Sequence, residues 1–249
     1  MTLAQAAALG LIQGLTEIFP ISSSAHLALA PRIFGWQDQG LAYDVALHWG
    51  TLFALLACFG RDLWTLAAKE RRLFWGLAIG TVPAGLSGLF LDDYVETVFR
   101  DPQVIAVPLI AFGILLAAAE RWGKQESRLE GMGLTACLWI GLAQALAVVP
   151  GVSRSGVTIT AALLLGLKRP DSAKFSFLLS IPIVFGAGVL KFKDLPAAEL
   201  GPAFWVGMAA AGLSGYAAIR FLMRFVQNRT LYVFAGYRVA VGLAALLLP

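Results

Sequence analysis

Residues 17–26 read EIFPISSSAH and place a carboxylate (Glu17), three hydroxyls (Ser22, Ser23, Ser24) and an imidazole (His26) within ten positions. A second polar cluster, PGVSRSG at 150–156, adds Ser153, Arg154 and Ser155. Both interrupt long apolar stretches; the first lies between LAQAAALGLIQGLT and LALAPRIFG. Ionisable groups at membrane depth are costly and are functional candidates by default. Glu17, His26 and Arg154 are the sharpest of them, because all three sit at breaks in apolar helix.

The spacing has a mechanical reading. Pro20 is expected to end one half-helix, and Ser22, Ser23 and Ser24 to begin the next. Pro150 and Gly151 do the same ahead of Ser153, Arg154 and Ser155. A helix start exposes backbone N–H groups and a positive dipole end, which favour phosphate or carboxylate, and serine suits the cap. Two such starts and one fixed cation, meeting from opposite faces, make an anion pocket near the midplane. A plainer reading stands beside it. Serines at a helix break serve as caps and packing residues, and a lone histidine near a helix end is often an interfacial residue. Arg154 resists that reading, since the apolar sequence on both sides leaves it little room to snorkel. Gln13 lies one turn before Glu17 on the same face. His48, Gln144, Ser176 and Ser180 are expected to make interhelical hydrogen bonds. Asp44 and Glu120 are placed at the membrane interfaces, and Arg238 is expected to snorkel or to pair with a carboxylate.

The elements that must position these groups follow from composition. The chain has 249 residues, of which 59% are hydrophobic and 14% charged, with a mean hydropathy of +0.76. That composition points to membrane embedding. The net charge of +4 comes from bases spread over loops, which argues against a nucleic-acid partner and for the positive-inside effect. Cys58 and Cys137 both fall inside apolar segments, so no disulfide framework is expected. The N-terminal stretch has no base ahead of its apolar run and no small-residue cleavage site, so it reads as part of the fold and not as a signal peptide.

A spanning helix needs about 20 apolar residues. Six runs meet that requirement, at 41–60, 73–91, 103–121, 172–191, 203–226 and 231–248. Two further regions, 2–34 and 132–167, are apolar but broken centrally, and read as re-entrant helix–loop–helix hairpins. These two regions resemble each other. At an offset of 131, Gly10, Leu11, Gln13, Leu15, Ser22 and Ser24 fall on Gly141, Leu142, Gln144, Leu146, Ser153 and Ser155. The expected fold is therefore an all-α integral membrane protein built as an inverted-topology repeat. One repeat covers about 1–121 and the other about 132–249, each a hairpin followed by three spans. Three crossings per half force the second copy upside down. Loops 61–72, 121–130, 167–174 and the 220–229 region hold thirteen of the nineteen Lys and Arg residues. Arg32, Arg100, Lys191 and Lys193 lie on the other side, with Asp92, Asp93 and Glu96. Short basic loops stay cytoplasmic, which puts both termini and the first hairpin on the outer side.

The two broken stretches carry a family resemblance. GLIQGLTEIFPISSSAHLAL and PGVSRSGVTITAALLLGLKRPDSAKFSFLLSIP resemble the two signatures of the bacterial undecaprenyl-diphosphatase (bacitracin-resistance) family, in the same order and over essentially the whole chain. The resemblance implies a hydrolase of the bacterial inner membrane with six spans and two re-entrant hairpins. Its expected reaction converts undecaprenyl diphosphate to undecaprenyl phosphate and inorganic phosphate. That recycles the lipid carrier of peptidoglycan synthesis and opposes bacitracin. By the same resemblance Ser23 matches the proposed nucleophile, His26 the histidine acting on the serine or the leaving group, and Arg154 the phosphate clamp. Glu17 matches the second acid of an E-x-x-x-E pair tied to a divalent cation, Mg²⁺ or Ca²⁺. Gln13 stands where that pair has its first acid, and an amide oxygen is a weaker ligand for a hard cation than a carboxylate.

The chemistry suits the constellation. A diphosphate ester needs in-line geometry and neutralised equatorial oxygens. Arg154, the helix starts, the hydroxyls of Ser22, Ser24, Ser153 and Ser155, and a cation on Glu17 with Gln13 are expected to supply the charge. Ser23 then attacks or positions a water, and His26 moves the proton. The expected partners are the lipid substrate and membrane lipids, with a homodimer left open. A polyprenyl-phosphate transporter or flippase of the same fold is the alternative, and a non-catalytic lipid-binding protein is a third reading.

Overall fold

The computed structural model describes residues 1–97, 100–192 and 200–248, with the backbone alone at 41, 92–97 and 192. Lys193 and the side chains of Asp92, Asp93 and Glu96 thus lie outside the described residues. The described residues are almost wholly helical. In chain order the helices are α1 (Leu3–Ile18), α2 (Ser23–Phe34), α3 (Gly40–Lys69), α4 (Arg71–Thr97), α5 (Pro102–Trp122), α6 (Leu134–Ala145), α7 (Arg154–Leu164), α8 (Arg169–Phe192), α9 (Pro202–Asn228) and α10 (Tyr232–Ala245). A short 3-10 turn, Leu146–Val148, extends α6.

Local chemistry sets the boundaries. Thr2 opens α1 with a capping box: its hydroxyl accepts from the Gln5 amide at 3.2 Å, and the Gln5 side chain accepts from the Thr2 amide at 2.9 Å. Pro20 has no N–H to continue the ladder, so α1 stops at Ile18 and the Phe19 amide makes the last bond, to Leu15. Gly35, at φ 66°, closes α2 in the left-handed conformation.

α3, α4, α5, α8 and α9 are long and apolar enough to cross a membrane, matching five of the six expected spans. The sixth differs. The run at 231–248 forms a helix of 14 residues, Tyr232–Ala245, about 21 Å long against a hydrocarbon core of about 30 Å. Its last residues turn in 3-10 fashion, with Leu247 and Leu248 bonded to Ala244 and Ala245. The basic segment 61–72 also departs from a loop. RDLWTLAAKERR contains no Gly or Pro, so α3 runs on to Lys69 and α4 begins at Arg71, with Glu70 alone at the corner. The Glu70 carbonyl accepts from Leu73 and Phe74 and so starts α4.

The element order is a broken hairpin and three helices, twice over. The packing follows the same exchange: α1 lies along α9 of the second half, α6 lies along α4 of the first, and α3 meets α8 while α5 meets α10. Close approach explains two of the repeated residues. A Cβ on Gly10 would overlap the Gly207 carbonyl, and one on Gly141 would overlap that of Gly80, as expected where small residues let membrane helices touch. The largest buried cluster runs between the halves, through Ile18, Leu55, Phe175, Phe177 and Leu222.

Candidate active site

The two hairpin tips meet inside the bundle, and both are built the same way. Ser22 (φ 78°, ψ 96°) caps α2 and Ser153 (φ 70°, ψ 113°) caps α7. A non-glycine residue at positive φ is uncommon, and finding it at the same place in both hairpins marks an enforced conformation. Each cap hydroxyl accepts from an amide three residues on, Ala25 at 3.4 Å and Gly156 at 3.1 Å. Each also meets the hydroxyl two residues on: Ser22 with Ser24 at 3.3 Å, Ser153 with Ser155 at 3.4 Å. The tips are stitched to each other as well. The Gly151 amide donates to Ser22 Oγ at 3.1 Å, and Ser155 Oγ donates to the Phe19 carbonyl at 3.1 Å. Ser22 and Ser155, expected to bind phosphate, thus also join the tips, Ser22 as acceptor and Ser155 as donor.

Ser23 and Arg154 hold equivalent positions, the first residues of α2 and α7. Their side chains converge on Glu17. Ser23 Oγ donates to Glu17 Oε2 at 2.5 Å, and Arg154 Nη2 donates to Glu17 Oε1 at 2.5 Å. Arg154 Nη1 also donates to the Ser176 carbonyl at 3.3 Å, while the Ser176 and Thr158 hydroxyls meet at 2.7 Å. Glu17 and Ser23 are buried, and the Arg154 side chain retains 13% exposure. Gln13 Nε2 donates to Glu17 Oε2 at 3.4 Å, as its one-turn spacing predicts.

One further residue joins this cluster. His48 of α3 sets its Nε2 3.2 Å from Glu17 Oε2 and its Nδ1 2.7 Å from the Asp44 carbonyl. A carbonyl only accepts, so Nδ1 carries a hydrogen. The second contact then places a proton between Nε2 and the carboxylate. Glu17 is thus read by α2, α3 and α7 at once. Asp44 and Glu120 lie near the ends of α3 and α5 and are buried, each with a cation: Asp44 with Arg100 at 2.8 Å, and Glu120 with Arg169 Nε at 2.6 Å. Arg100 also holds Asp38 at 2.7 Å. Burial draws the Arg100 guanidinium down, and Asp44 and Asp38 more than reverse that, holding it above its ordinary value.

His26 stands apart from Ser23. Its Nδ1 meets the Ser22 carbonyl at 2.7 Å and so carries the hydrogen, and its Nε2 accepts from the Tyr237 hydroxyl at 2.8 Å, with the two rings stacked. Among the described residues His26 makes no hydrogen bond to Ser23, whose own hydrogen bond goes to Glu17; a role of His26 on the leaving group is untouched by this geometry. Arg238 neither snorkels nor pairs with a carboxylate. It is fully buried, with Nη2 donating to the Gly151 and Val152 carbonyls at 2.8 and 2.7 Å and Nη1 donating to the Pro20 carbonyl at 3.3 Å. Gln144 donates to the Gly80 carbonyl of α4 at 3.4 Å, the interhelical bond expected of it.

No cluster of three or more His, Cys, Asp or Glu side chains suited to a metal occurs among the described residues. The oxygen donors nonetheless fit a hard cation that is completed by substrate. Gln13 Oε1 is buried without a hydrogen-bond partner one turn from the Glu17 carboxylate. Mg²⁺ commonly takes one or two carboxylates and fills the remaining positions with phosphate oxygens and water.

Sequence comparison adds the family. Residues 6–244 match the model of the bacitracin resistance protein BacA family. A Geobacter sulfurreducens protein named undecaprenyl-diphosphatase is 48% identical, over 99% of this chain and 98% of its own length. Proteins of that name from Trichlorobacter lovleyi and Moorella thermoacetica are 46% and 44% identical, over 100% and 97% of this chain and 97% and 96% of their own lengths. With two hairpin tips joined through Glu17 and a match running from α1 to α10, the chain belongs to the bacitracin resistance protein BacA family.

Proposed function

We propose that this multi-pass membrane protein hydrolyses undecaprenyl diphosphate to undecaprenyl phosphate and inorganic phosphate. In a bacterial inner membrane this would recycle the lipid carrier of peptidoglycan synthesis and confer bacitracin resistance. The carrying observation is the convergence of Ser23 and Arg154, the first residues of two facing half-helices, on one buried carboxylate. The names of the relatives supply the substrate class.

The terminal phosphate of the substrate takes the place beside Arg154, whose guanidinium turns from Glu17 Oε1 to the non-bridging oxygens. The N–H groups of α2 and α7 face the same charge. As Ser23 Oγ attacks the terminal phosphorus in line, its proton passes to Glu17 Oε2, already 2.5 Å away. The bond from that phosphorus to the bridging oxygen breaks, Glu17 passes its proton to that oxygen, and undecaprenyl phosphate leaves. Water, deprotonated by the freed Glu17 carboxylate, then cleaves the Ser23–phosphate bond; the proton returns from Glu17 to Ser23 Oγ and inorganic phosphate is released. His48 Nε2 faces the same Glu17 Oε2 at 3.2 Å, and His26 is held by Tyr237 at the start of α2. Glu17 and Gln13 Oε1 would hold a divalent cation, which supplies charge neutralisation on the diphosphate oxygens.

The tail has a natural course. An apolar cavity of about 270 Å³ lies between α3, α4 and α8, lined by Leu52, Leu56, Leu77, Ile181 and Phe185. Leu52 is one turn beyond His48. The repeat order and the basic segments support an inverted pair of halves with the first hairpin entering from the outer side. Phosphate release from undecaprenyl diphosphate by the purified protein in detergent, with Mg²⁺, Ca²⁺ or chelator, tests the reading. Release from the wild type is expected, and its absence under every metal condition would sink the phosphatase and leave the transporter reading.

A further inference from the structure

Arg238 is the residue that the reaction just described leaves without a task. Its side chain is fully buried. Its partners are three backbone carbonyls drawn from both hairpins: Pro20 of the first, Gly151 and Val152 of the second. Its Nε is buried without a partner. A buried cation held only by carbonyls is expensive compared with one held by a carboxylate. The return for that cost lies in what the carbonyls fix. Each peptide is planar and trans, so its C=O and N–H point in opposite directions. Pinning the Val152 carbonyl to Nη2 at 2.7 Å therefore aims the Ser153 N–H away from Arg238. That amide has no acceptor among the described residues, and it immediately precedes Arg154. The two preceding amides are already used: Val152 donates to Val149 at 3.2 Å, and Gly151 to Ser22 Oγ.

We infer that Arg238 is a positioning residue that aims the Ser153 backbone N–H, beside Arg154, at the phosphoryl group in flight. The inference rests on the phosphatase reading above. The guanidinium works from behind the tip and touches no substrate. It acts through the orientation of a peptide, making the Ser153 N–H a preorganised donor of the oxyanion-hole kind. Its unpaired charge adds to the positive ends of α2 and α7, and its reach across both tips couples their spacing. Gly156 completes the arrangement, because a Cβ there would overlap Arg238 Nη1.

The test compares wild type, Arg238→Gln, Arg238→Ala and Gly156→Ala for phosphate release, and for inhibition by vanadate and by inorganic phosphate. Losing one preorganised donor costs about 10²-fold in kcat, with KM within a few-fold. Vanadate, which takes the five-coordinate geometry of the transition state, should lose affinity in step with kcat, while inorganic phosphate loses far less. Added guanidinium should restore part of the activity of Arg238→Ala and none of the loss in Gly156→Ala. Should the Arg238 variants fail to fold, Gly156→Ala displaces the guanidinium without deleting it and should show the same loss of vanadate affinity in milder form. Unchanged kcat and vanadate inhibition in a folded Arg238→Gln or Gly156→Ala, or equal weakening of vanadate and phosphate, overturns the inference. A wild type that releases no phosphate removes instead the reading on which it rests.

Discussion

The two hairpin tips share a backbone and differ in chemistry. Ser22 and Ser153 take the same left-handed cap, bond to the same amide three residues on and meet the same hydroxyl two residues on. At the next position the copies part. The first hairpin carries the small hydroxyl of Ser23, and the second carries the guanidinium of Arg154. The surroundings part as well. Glu17 and His26 of the first hairpin correspond, 131 residues on, to Val148 and Val157. The two tips form a paired scaffold, and in the proposed reaction divergence at three positions would make one copy the reactive half and the other the anion-holding half. Arg238 breaks the symmetry further by gripping two carbonyls of the second tip and one of the first.

Substitutions that act on the divergent positions should have the largest effects. Ser23→Ala and Arg154→Ala are each expected to lower phosphate release by about 10³-fold. Ser24→Ala and Ser155→Ala, at positions the copies share, should lower it by less than about tenfold. Comparable losses at all four would dissolve the distinction between scaffold and chemistry.

Next come the crossings. Gly10→Ala and Gly141→Ala both drive a methyl into an opposing carbonyl and should each destabilise the fold by about 1–3 kcal/mol, read as a drop in thermal midpoint in detergent. A large loss at one and none at the other would show that α1–α9 and α6–α4 are not equivalent contacts.

Gln13→Glu tests the metal. A second carboxylate beside Glu17 should tighten Mg²⁺ or Ca²⁺ binding about tenfold, measured by calorimetry with a non-hydrolysable diphosphonate. Unchanged affinity would place the cation, if one binds, elsewhere. The smallest effect is predicted for the caps: Ser22→Ala and Ser153→Ala should each cost about 1 kcal/mol of stability. A clear inequality between them would mean that the bond from Gly151 to Ser22 Oγ carries weight of its own.

Much of this was legible in the residues. Pro20 and Pro150 announce the breaks, serines announce the helix starts, and an arginine directly before SGVTITAALLLG announces a candidate site, because each of these signals is local. The rest depends on contacts between distant segments. His48 reaches Glu17 only because α3 crosses the end of α1 with that face turned inward. Its sequence context, YDVALHWG, looks like that of any histidine in a span. Arg238 meets carbonyls 86 to 218 positions away, and backbone carbonyls leave no mark in sequence. The family resemblance assigns His26 to the serine or the leaving group, and the fold gives both of its nitrogens to Tyr237 and the Ser22 carbonyl. The short α10 and the uninterrupted end of α3 show the limit of apolar counting: hydropathy marks where a helix can lie in lipid, and hydrogen bonding decides where it stops.

The most direct measurement is acid quench of the reaction with undecaprenyl diphosphate labelled in its terminal phosphate, followed by peptide mapping. The account predicts transient label on the peptide containing Ser23, none in Ser23→Ala, and loss of phosphate release in that variant. Full-rate release of labelled phosphate by Ser23→Ala, with no label on the protein, would contradict it.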